Sequence, residues 1–397
     1  MRLLVIHHSR DVNSNQVYLS DDYLLANGIL YGAQELDTWA GVRLFGRKHE
    51  VWRLQVCPNY NLLSLVDSDG DVVEQLTIPS YSRAGKLRDP GFLRALLTWG
   101  DTSIAQHGTT SKRDAFAKIF KKYDFDKVWV ETQFYEAAIP STVPHIIRSV
   151  NFEPYHALTE SSGFSRYLRA LTRLFSERRV FIHNQGSAIS PLDCDRYSML
   201  GIREMSLIPL RQLAFISKLS VSPINQSKTF LVIGSTYEVK HNKLNLLYVL
   251  NELAPRVLQV DTNIKFQIFG NRLPADVILP DNCEYRGFDP DLQGRIIGSS
   301  GIIVPFNGGA GMQSKVFEPL CLGGALIANP RSLVGYPFVA GKHYLAATTT
   351  QEFVEVILKI ASQPDFTQSI SASAKEFSQS IFNLEGMIES LESALQN

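Results

Sequence analysis

One segment of the sequence has the order of a β-α-β unit. The apolar run at 301–305 is followed by a glycine-rich turn, by a helix-forming stretch that starts near Met312, and by a second apolar run at 325–328. Two apolar strands joined through a helix pair in parallel within one sheet. This order therefore predicts a parallel sheet with a helix packed on it.

The turn and the helix of this unit also predict an anion site. Glycines at 308, 309 and 311 let backbone N–H groups approach a ligand, and a helix N-terminus carries about half a positive charge. Lys315 and Glu318 lie one helical turn apart, so the lysine could contact a diphosphate and the glutamate could accept hydrogen bonds from ribose hydroxyls. The other side of the helix is apolar and consists of Met312, Val316, Phe317 and Leu320. A packing turn and a solvated Lys–Glu pair are the alternatives.

Length, charge and cysteine content narrow the class of protein. A chain of 397 residues is too long for one ordinary core, so two domains are expected. Lysine plus arginine and aspartate plus glutamate number 39 each, which argues against nucleic-acid binding. The four cysteines are scattered without a CxxC pair, which favours a reducing compartment. Because no window reaches ~20 apolar residues and the N-terminal apolar run is too short for a signal peptide, we predict a cytoplasmic protein.

Strand-like and helix-like segments alternate in two series. The first series occupies residues 1–210, a Ser/Lys-rich linker is expected at 211–227, and the second series fills residues 228–365. The chain ends in a helical segment, 366–397, that could pack back on the first domain. We therefore predict an α/β protein with two Rossmann-like, doubly wound parallel-sheet domains.

Four segments of the second half occur in the order found in one enzyme family. They are Phe230–Ser235 with Asn242, Phe266–Gly270, Tyr285–Leu292 and Gly309–Glu318. In this order they resemble the donor domain of GT-B glycosyltransferases, particularly the retaining family-4-like enzymes (glycosyl transferases group 1). The resemblance implies two domains that face each other across a cleft. It also implies transfer of a sugar from a nucleotide-sugar donor to a glycan or lipid-linked glycan acceptor, as in polysaccharide biosynthesis.

The same resemblance implies a donor site in the second domain. Its residues would be Gly234, Ser235, Lys240, Arg286, Gly287, Phe288, Gly309, Ala310, Gly311, Met312, Lys315 and Glu318. The amides of the turn and the Lys315 ammonium would stabilise the departing diphosphate, by about 3–4 kcal/mol for one well-placed donor. Arg286 and Phe288 would lie beside the nucleotide base.

No metal or other cofactor is expected at this donor site. Asp289 and Asp291 have the Asp-x-Asp spacing of a metal signature. Their position in a loop that leads into a helix instead favours an N-cap role for one of them. Lysine and the helix N-terminus would then supply the positive charge.

The first half resembles the family less closely. Pro144–Glu153 resembles the acceptor-side strand and loop, which gives Glu153, Asn151 and Arg148 as catalytic candidates. Ligands gather at the carboxyl ends of parallel strands, so these side chains and His8 are expected to face the cleft. Glu153 would act as a general base or contact the sugar, or it caps the next helix. For His8 the alternative is a packed, hydrogen-bonded side chain.

Two departures from the family pattern leave other functions open. Ala310 stands where many retaining members have the first of two glutamates, so backbone amides of the turn would contact the sugar. The usual glycine-rich loop after the first strand is replaced by the polar segment 8–15. The alternatives are a GT-B-fold nucleotide-sugar epimerase or hydrolase, and a catalytically inactive nucleotide-sugar-binding relative.

A helix predicted at 165–176 has a basic side and an apolar side. The basic side consists of Arg166, Arg169 and Arg173, and the apolar side of Leu168, Leu171 and Phe175. The arginines could attract an anionic membrane surface, which would make the protein a peripheral membrane protein, or a phosphorylated lipid acceptor. Alternatively, they form a solvated helix face. Val180–His183 is expected to be the strand that follows this helix.

Overall fold

The computed structural model describes residues 1–9, 33–57, 61–160, 163–203, 205–216, 218, 228–289, 291–305 and 312–396. These residues form two compact units. The N-terminal unit contains residues 37–211 together with the first strand and residues 385–396, and the C-terminal unit contains residues 212–384 together with residues 33–36. No helix in the described part of the chain has the length and apolar character needed to cross a membrane.

The N-terminal unit is built on an eight-stranded mixed sheet. Its strands are β1 (Arg2–His8), β2 (Glu50–Cys57), β3 (Leu62–Val66), β4 (Val72–Thr77), β5 (Lys127–Val130), β6 (Ile146–Ser149), β7 (Gln185–Ala188) and β8 (Met205–Leu207). They lie in the order β4-β3-β2-β1-β5-β6-β7-β8. From β2 through β1 to β8 all neighbours are parallel, whereas β3 pairs antiparallel with both β2 and β4.

The antiparallel edge differs from the predicted fully parallel sheet. In the turn between β3 and β4, the Asp67 carboxylate accepts hydrogen bonds from the backbone N–H of Asp69 at 3.1 Å and of Asp71 at 2.9 Å. Gly70 adopts a φ of 95°, which residues with a Cβ atom rarely take. Because this short turn reverses the chain at once, β4 pairs with β3 without a crossover helix.

Helices pack against this sheet and complete the N-terminal unit. They are α1 (Ala33–Phe45), α2 (Arg83–Lys86), α3 (Pro90–Trp99), α4 (Thr102–Ala105), α5 (Thr110–Lys122), a 3-10 turn (Gln133–Tyr135), α6 (Glu153–Glu160), α7 (Ser165–Ile182), α8 (Pro191–Met199) and the last helix, α16 (Leu384–Gln396). His49 Nε2 lies 2.6 Å from Glu392 Oε1, which ties α16 to the segment before β2.

Helix α7 is longer than the sequence predicts. Val180 and Phe181, which we expect in a strand, are buried in its last turn. Asn184 Nδ2 donates to the carbonyl of Val180 at 2.8 Å just beyond the helix end. The strand that follows is β7, whose sequence Gln-Gly-Ser-Ala contains no apolar run. The predicted strand at Val180–His183 is therefore wrong, because a short apolar run fits a helix and a strand equally well.

The C-terminal unit contains the parallel sheet that the β-α-β order predicts. Its strands are β9 (Thr229–Thr236), β10 (Lys265–Asn271), β11 (Cys283–Gly287), β12 (Gly301–Val304), β13 (Leu326–Ala328) and β14 (Leu345–Ala346). They lie in the order β11-β10-β9-β12-β13-β14, and every pair is parallel. Its helices are α9 (Leu213–Ile216), α10 (Lys240–Tyr248) with a π-helical turn (Val249–Leu253), α11 (Ala254–Val260), α12 (Leu292–Ile297), α13 (Ser314–Cys321), a 3-10 turn (Pro330–Leu333), α14 (Thr350–Ser362) and α15 (Pro364–Ile381).

Candidate functional site

The topology of the C-terminal sheet marks one place for a ligand. β9 lies between β10 and β12, so the connections that follow β9 and β12 leave the sheet in opposite directions. Ligands of open α/β sheets bind at such a switch point, outside the carboxyl ends of the strands. Helix α10 follows β9 at this point. Helix α13 follows β12 after residues 306–311, which lie outside the described residues.

Lys315 and Asn242 connect α13 to α10 at the switch point. Lys315 Nζ donates to Asn242 Oδ1 at 3.4 Å. Asn242 Nδ2 in turn donates to the carbonyl of Thr236 at 3.0 Å and lies 3.4 Å from Ser235 Oγ. Side-chain hydrogen bonds therefore hold the end of β9 and the starts of α10 and α13 together.

A small cavity lies between the same elements. Gly234, Asn242 and Lys315 are among its lining residues, and its volume of about 10 Å³ leaves room for roughly one water molecule. A Cβ atom on Gly234 would lie 2.9 Å from the Tyr237 ring, so this close packing requires glycine. The sequence predicts Gly234 and Ser235 in a turn after the strand, but both lie within β9. Gly234 is buried and Ser235 is exposed.

The Lys315 ammonium group is half-buried beside a neutral partner. Burial lowers the pKa of Lys315 from 10.5 to about 8. Within the described ranges, no carboxylate lies at ion-pair distance from this nitrogen, and its one hydrogen-bond acceptor is the Asn242 amide oxygen. A bound phosphate would supply the missing negative charge, so this arrangement suits an anionic ligand.

Glu318 lies one turn further along α13 and is 1% exposed. Its Oε1 accepts a hydrogen bond from Gln293 Nε2 of α12 at 3.1 Å, whereas Oε2 has no hydrogen-bond partner among the described residues. Burial raises the pKa of Glu318 from 4.5 to about 8, so the carboxyl group is largely protonated at neutral pH. A buried carboxyl oxygen without a partner is a place where a ligand hydroxyl could bind.

Lys315 and Glu318 do not form the surface ion pair that their spacing allows. In the described structure Lys315 contacts α10 and Glu318 contacts α12, so two different helices hold these side chains. The polar side of α13 is therefore an internal contact surface and not a solvated helix face.

The apolar side of α13 fixes the helix in the C-terminal unit. Met312, Val316, Phe317 and Leu320 are buried, which confirms the predicted apolar arc. Phe317 stacks on Tyr336 with ring centroids 5.8 Å apart, and Tyr336 OH donates to the carbonyl of Gln313 at 3.1 Å. The start of α13 is thus held in place from both sides.

The remaining predicted donor residues are placed as follows. Gly309, Ala310 and Gly311 lie outside the described residues. Lys240 is exposed as the first residue of α10. Arg286 and Phe288 are exposed on either side of Gly287, which adopts a φ of 69°. Arg286 pairs with Glu284 at 2.8 Å. The contacts described above join Gly234, Ser235 and Lys315, and Glu318 is linked to them through α13.

Asp289 and Asp291 take part in the start of α12. Asp291 is its N-cap residue, and its Oδ1 accepts from the backbone N–H of Gly294 at 3.1 Å, which confirms the predicted capping role. Asp289 Oδ2 accepts from Arg295 Nε at 2.9 Å. Both carboxylates are therefore used in local hydrogen bonds.

In the N-terminal unit, Arg148 lies in the core and not at an open strand end. Its side chain is fully buried. Nε donates to Asp37 Oδ2 at 2.9 Å, Nη1 to the carbonyl of Ile208 at 3.2 Å and Nη2 to the carbonyl of Pro209 at 3.1 Å. The predicted catalytic role does not fit this position, because every nitrogen of the guanidinium already bonds to the protein.

Glu153 and Asn151 also have internal partners. Glu153 is the first residue of α6, and its carboxylate accepts a hydrogen bond from Arg173 Nη1. Arg173 also contacts Asp101 at 3.6 Å, so it belongs to a buried ion network and not to the predicted basic helix face. The Asn151 carbonyl accepts from Ser149 Oγ at 2.8 Å. A paired carboxylate at a helix N-terminus matches the capping alternative for Glu153 better than a free general base.

His7 and His8 end β1 in different environments. His7 is buried, and burial lowers its pKa from 6.5 to about 4, so it is a packed neutral side chain. His8 is exposed. β1 lies between β2 and β5, which makes its carboxyl end the switch point of the N-terminal sheet. Of the four predicted catalytic residues, His8 has the most exposed side chain.

The fold is shared with solved glycosyltransferase structures. No protein-family model matches the sequence, and no curated protein is detectably similar. The structure is similar to sucrose-phosphate synthase from Thermosynechococcus elongatus, with a TM-score of 0.62 and 12% identity over 100% of this chain and 98% of that one. It is similar to HepE from Anabaena in complex with UDP, with a TM-score of 0.59 and 12% identity over 100% of both chains. WaaG, a glycosyltransferase involved in lipopolysaccharide biosynthesis, gives a TM-score of 0.57 and 12% identity over 100% of both chains. The chain has the GT-B fold.

Sequence reasoning missed two contacts of this GT-B chain. Asn242 stands in a segment that resembles the family, but its role as the acceptor for Lys315 is not among the predicted ones. Gln293, which bonds Glu318, lies in α12 without any pattern that marks it. A polar residue in the first turn of a helix that follows a parallel strand is the one signal that could have indicated Asn242.

Proposed function

We propose that this GT-B protein is a glycosyltransferase that moves a sugar from a nucleotide-sugar donor to a glycan or lipid-linked glycan. The observation that carries the proposal is the half-buried Lys315 ammonium group, which has only a neutral partner among the described residues and lies at the switch point of the C-terminal sheet. HepE in complex with UDP and with UDP-glucose has the same fold, which supports a uridine diphosphate sugar as the donor.

The reaction breaks the bond between the anomeric carbon and a phosphate oxygen. Negative charge develops on the leaving diphosphate, and Lys315 is proposed to stabilise it together with amides that precede α13. Glu318 Oε2 is proposed to bind a ribose hydroxyl, because it is a buried oxygen with no hydrogen-bond partner in the described part of the chain. Since lysine supplies positive charge at the leaving group, the mechanism needs no metal ion.

Three further parts of the proposal concern the stereochemistry, the pathway and the location of the protein. Retention of the anomeric configuration follows the resemblance of residues 309–318 to the retaining enzymes. A role in polysaccharide biosynthesis follows the likeness to WaaG, a lipopolysaccharide enzyme. A cytoplasmic location agrees with four cysteines that form no disulfide.

Calorimetry with nucleotides tests the proposal directly. The intact protein is titrated with UDP, ADP and GDP, and UDP is expected to bind. UDP release from UDP-glucose is then measured with and without glycan acceptors. If none of the nucleotides binds, the glycosyltransferase function is wrong. Donor consumption that needs no acceptor would favour an epimerase or hydrolase, and binding without any turnover would favour an inactive relative.

Replacing Glu318 by glutamine is expected to stabilise the protein and to weaken UDP binding. The folded-state pKa of Glu318 is raised above its ordinary value, so unfolding releases a proton between pH 4.5 and about 8 and the free energy of unfolding falls as pH rises through that window. Glutamine does not titrate, so the variant does not lose free energy of unfolding in this window. We expect Glu318→Gln to be more stable than the unaltered protein by about 1–3 kcal/mol at pH 8 and to have nearly the same stability at pH 4.5. When the new amide oxygen accepts the bond from Gln293, the NH2 group takes the place of Oε2 and cannot accept a hydrogen bond from ribose, so UDP affinity is expected to fall about tenfold.

Urea unfolding at the two pH values and calorimetry with UDP measure both effects. Glu355→Gln is the matched control, because Glu355 is an exposed glutamate of the same unit whose Oε1 also bonds a glutamine amide, at 2.8 Å. A Glu318→Gln protein with unchanged affinity would remove Glu318 from the ribose site.

A further inference from the structure

Helix α7 presents an apolar stripe to solvent. Its members, with exposed fractions in parentheses, are the N-cap residue Phe164 (86%), Leu168 (62%), Leu171 (49%), Phe175 (58%) and Ile182 (43%). At 100° per residue these side chains fall within about 60° of one another around the helix axis. The apolar side of the helix, which carries Leu168, Leu171 and Phe175, is therefore its outer side.

The opposite side of α7 is buried in the N-terminal unit. It carries Ala170, Ser176, Glu177, Val180 and Phe181. Glu177 Oε1 accepts hydrogen bonds from Gln133 Nε2 at 3.1 Å and from the backbone N–H of Glu153 at 3.1 Å. Hydrogen bonds and buried apolar side chains therefore fix the inner side of α7 to the N-terminal unit, and the apolar stripe lies on the outer side of a firmly packed helix.

The exposed charged residues of α7 itself are all positive. Glu177 is the one acidic residue of α7, and it is buried, so the exposed charged residues of the helix are Arg169, Arg178 and Arg179. Arg178 Nε donates to the carbonyl of Leu200 at 3.2 Å, and Arg179 Nη1 donates to the carbonyl of Thr98. Both acceptors are neutral backbone carbonyls, so these hydrogen bonds place no negative charge beside the two guanidinium groups.

An exposed apolar residue precedes each of the two residues that accept these hydrogen bonds. Met199 precedes Leu200 at the end of α8 and is 85% exposed, and Leu97 precedes Thr98 in α3 and is 84% exposed. The α7 face is therefore defined by Phe164, Leu168, Leu171, Phe175, Leu97 and Met199. Exposed large apolar side chains along one helix side, flanked by Arg178 and Arg179, mark an interaction surface and not ordinary surface variation.

We propose that the α7 face docks on an anionic lipid surface. Large apolar side chains enter the boundary between headgroups and acyl chains, and flanking arginines bind anionic headgroups. A second copy of this chain fits less well, because a symmetric contact would bring Arg178 and Arg179 of one copy close to the same arginines of the other. The inference does not depend on the proposed function, since lipid binding is measured without a nucleotide.

Vesicle co-sedimentation of the full chain tests the inference. Binding is expected to vesicles that contain an anionic phospholipid and to be much weaker with zwitterionic lipid alone. The double variant Leu168→Asp/Phe175→Asp is expected to bind at least about tenfold more weakly, because two apolar anchors are lost. Arg178→Gln/Arg179→Gln is expected to lose about fivefold per arginine on anionic vesicles.

Ile278→Asp is the matched control, because Ile278 is 85% exposed but belongs to the C-terminal unit. It should leave vesicle binding unchanged, and circular dichroism checks that each variant is folded. Equal binding of the unaltered protein and of both double variants would overturn the inference. The inference would also be overturned if the unaltered protein were a dimer that does not bind vesicles, and if Leu168→Asp/Phe175→Asp converted this dimer to monomers.

Discussion

Replacing Lys315 by methionine is expected to lower the affinity for UDP about 100-fold and to abolish sugar transfer. A charge-assisted hydrogen bond contributes about 1.5–3 kcal/mol, and the Lys315 ammonium group has only the Asn242 amide oxygen as a partner among the described residues. In the transition state more negative charge lies on the diphosphate, so the loss in turnover should exceed the loss in affinity. Calorimetry with UDP and UDP-release kinetics measure the two effects.

Lys315 is also expected to determine how UDP affinity changes with pH. Burial holds the pKa of Lys315 at about 8, so the free protein loses the ammonium charge as pH rises through that value. UDP affinity should therefore fall about tenfold per pH unit above pH 8, whereas Lys315→Met should show a flat profile there. The unfolded chain holds the proton up to about pH 10.5, so the free energy of unfolding of the unaltered protein should rise between pH 8 and that value.

Lys265→Met is the control for this series, because Lys265 is an exposed lysine at the start of β10 in the same unit. It should change neither the affinity nor its pH profile. An unchanged affinity in Lys315→Met would show that the diphosphate does not bind at the start of α13.

Replacing Arg211 by methionine is expected to lower the free energy of unfolding of the N-terminal unit by about 3–5 kcal/mol. Arg211 is fully buried and donates to Glu131 Oε1 at 2.8 Å, to Glu131 Oε2 at 2.6 Å and to Asp37 Oδ2 at 2.9 Å. Removal of the guanidinium leaves Glu131 as a buried carboxylate without an ion-pair partner and leaves Asp37 with Arg148 alone. Burial of an unpaired charge costs far more than the loss of an exposed ion pair.

Urea unfolding followed by tryptophan fluorescence measures this change. Trp39, Trp52, Trp99 and Trp129 are the four tryptophans of the chain, and all lie in the N-terminal unit, so the signal reports that unit. Arg2→Met is the matched control, because the Arg2–Glu50 pair is about 40% exposed, and it should cost less than about 1 kcal/mol. If Arg211→Met and Arg2→Met lower the free energy of unfolding by similar amounts, burial does not determine how much the Arg211 network stabilises the protein.

The two sheets were predictable because apolar runs and helical stretches alternate in both halves of the sequence. The β3–β4 edge was not predictable in the same way, since β4 alternates exposed and half-buried residues and looks like a surface segment. Strand β7 has only small and polar residues. Elements at sheet edges and strands built from small side chains carry little apolar signal, and neighbouring strands decide their conformation.

Within the candidate site, helical spacing predicts that Lys315 and Glu318 lie on the same side of α13. It does not predict that Glu318 is buried and Lys315 half-buried. Their partners Asn242 and Gln293 lie 73 and 25 residues away in the sequence. Arg148 is a similar case. Its position at the end of a parallel strand predicts a ligand contact, but Asp37, 111 residues away, holds it in the core. Burial through distant partners is a tertiary property that local patterns do not contain.

The return of α16 to the N-terminal unit affects the order in which the protein can fold. Residues 385–396 follow the C-terminal unit in the chain, and Glu392 bonds His49 of the N-terminal unit, whose first strand precedes the C-terminal unit. On the ribosome, the C-terminal unit has its whole sheet before the unit that precedes it is complete. A nascent chain arrested at residue 384 should therefore contain a finished second unit and a first unit that still lacks one helix.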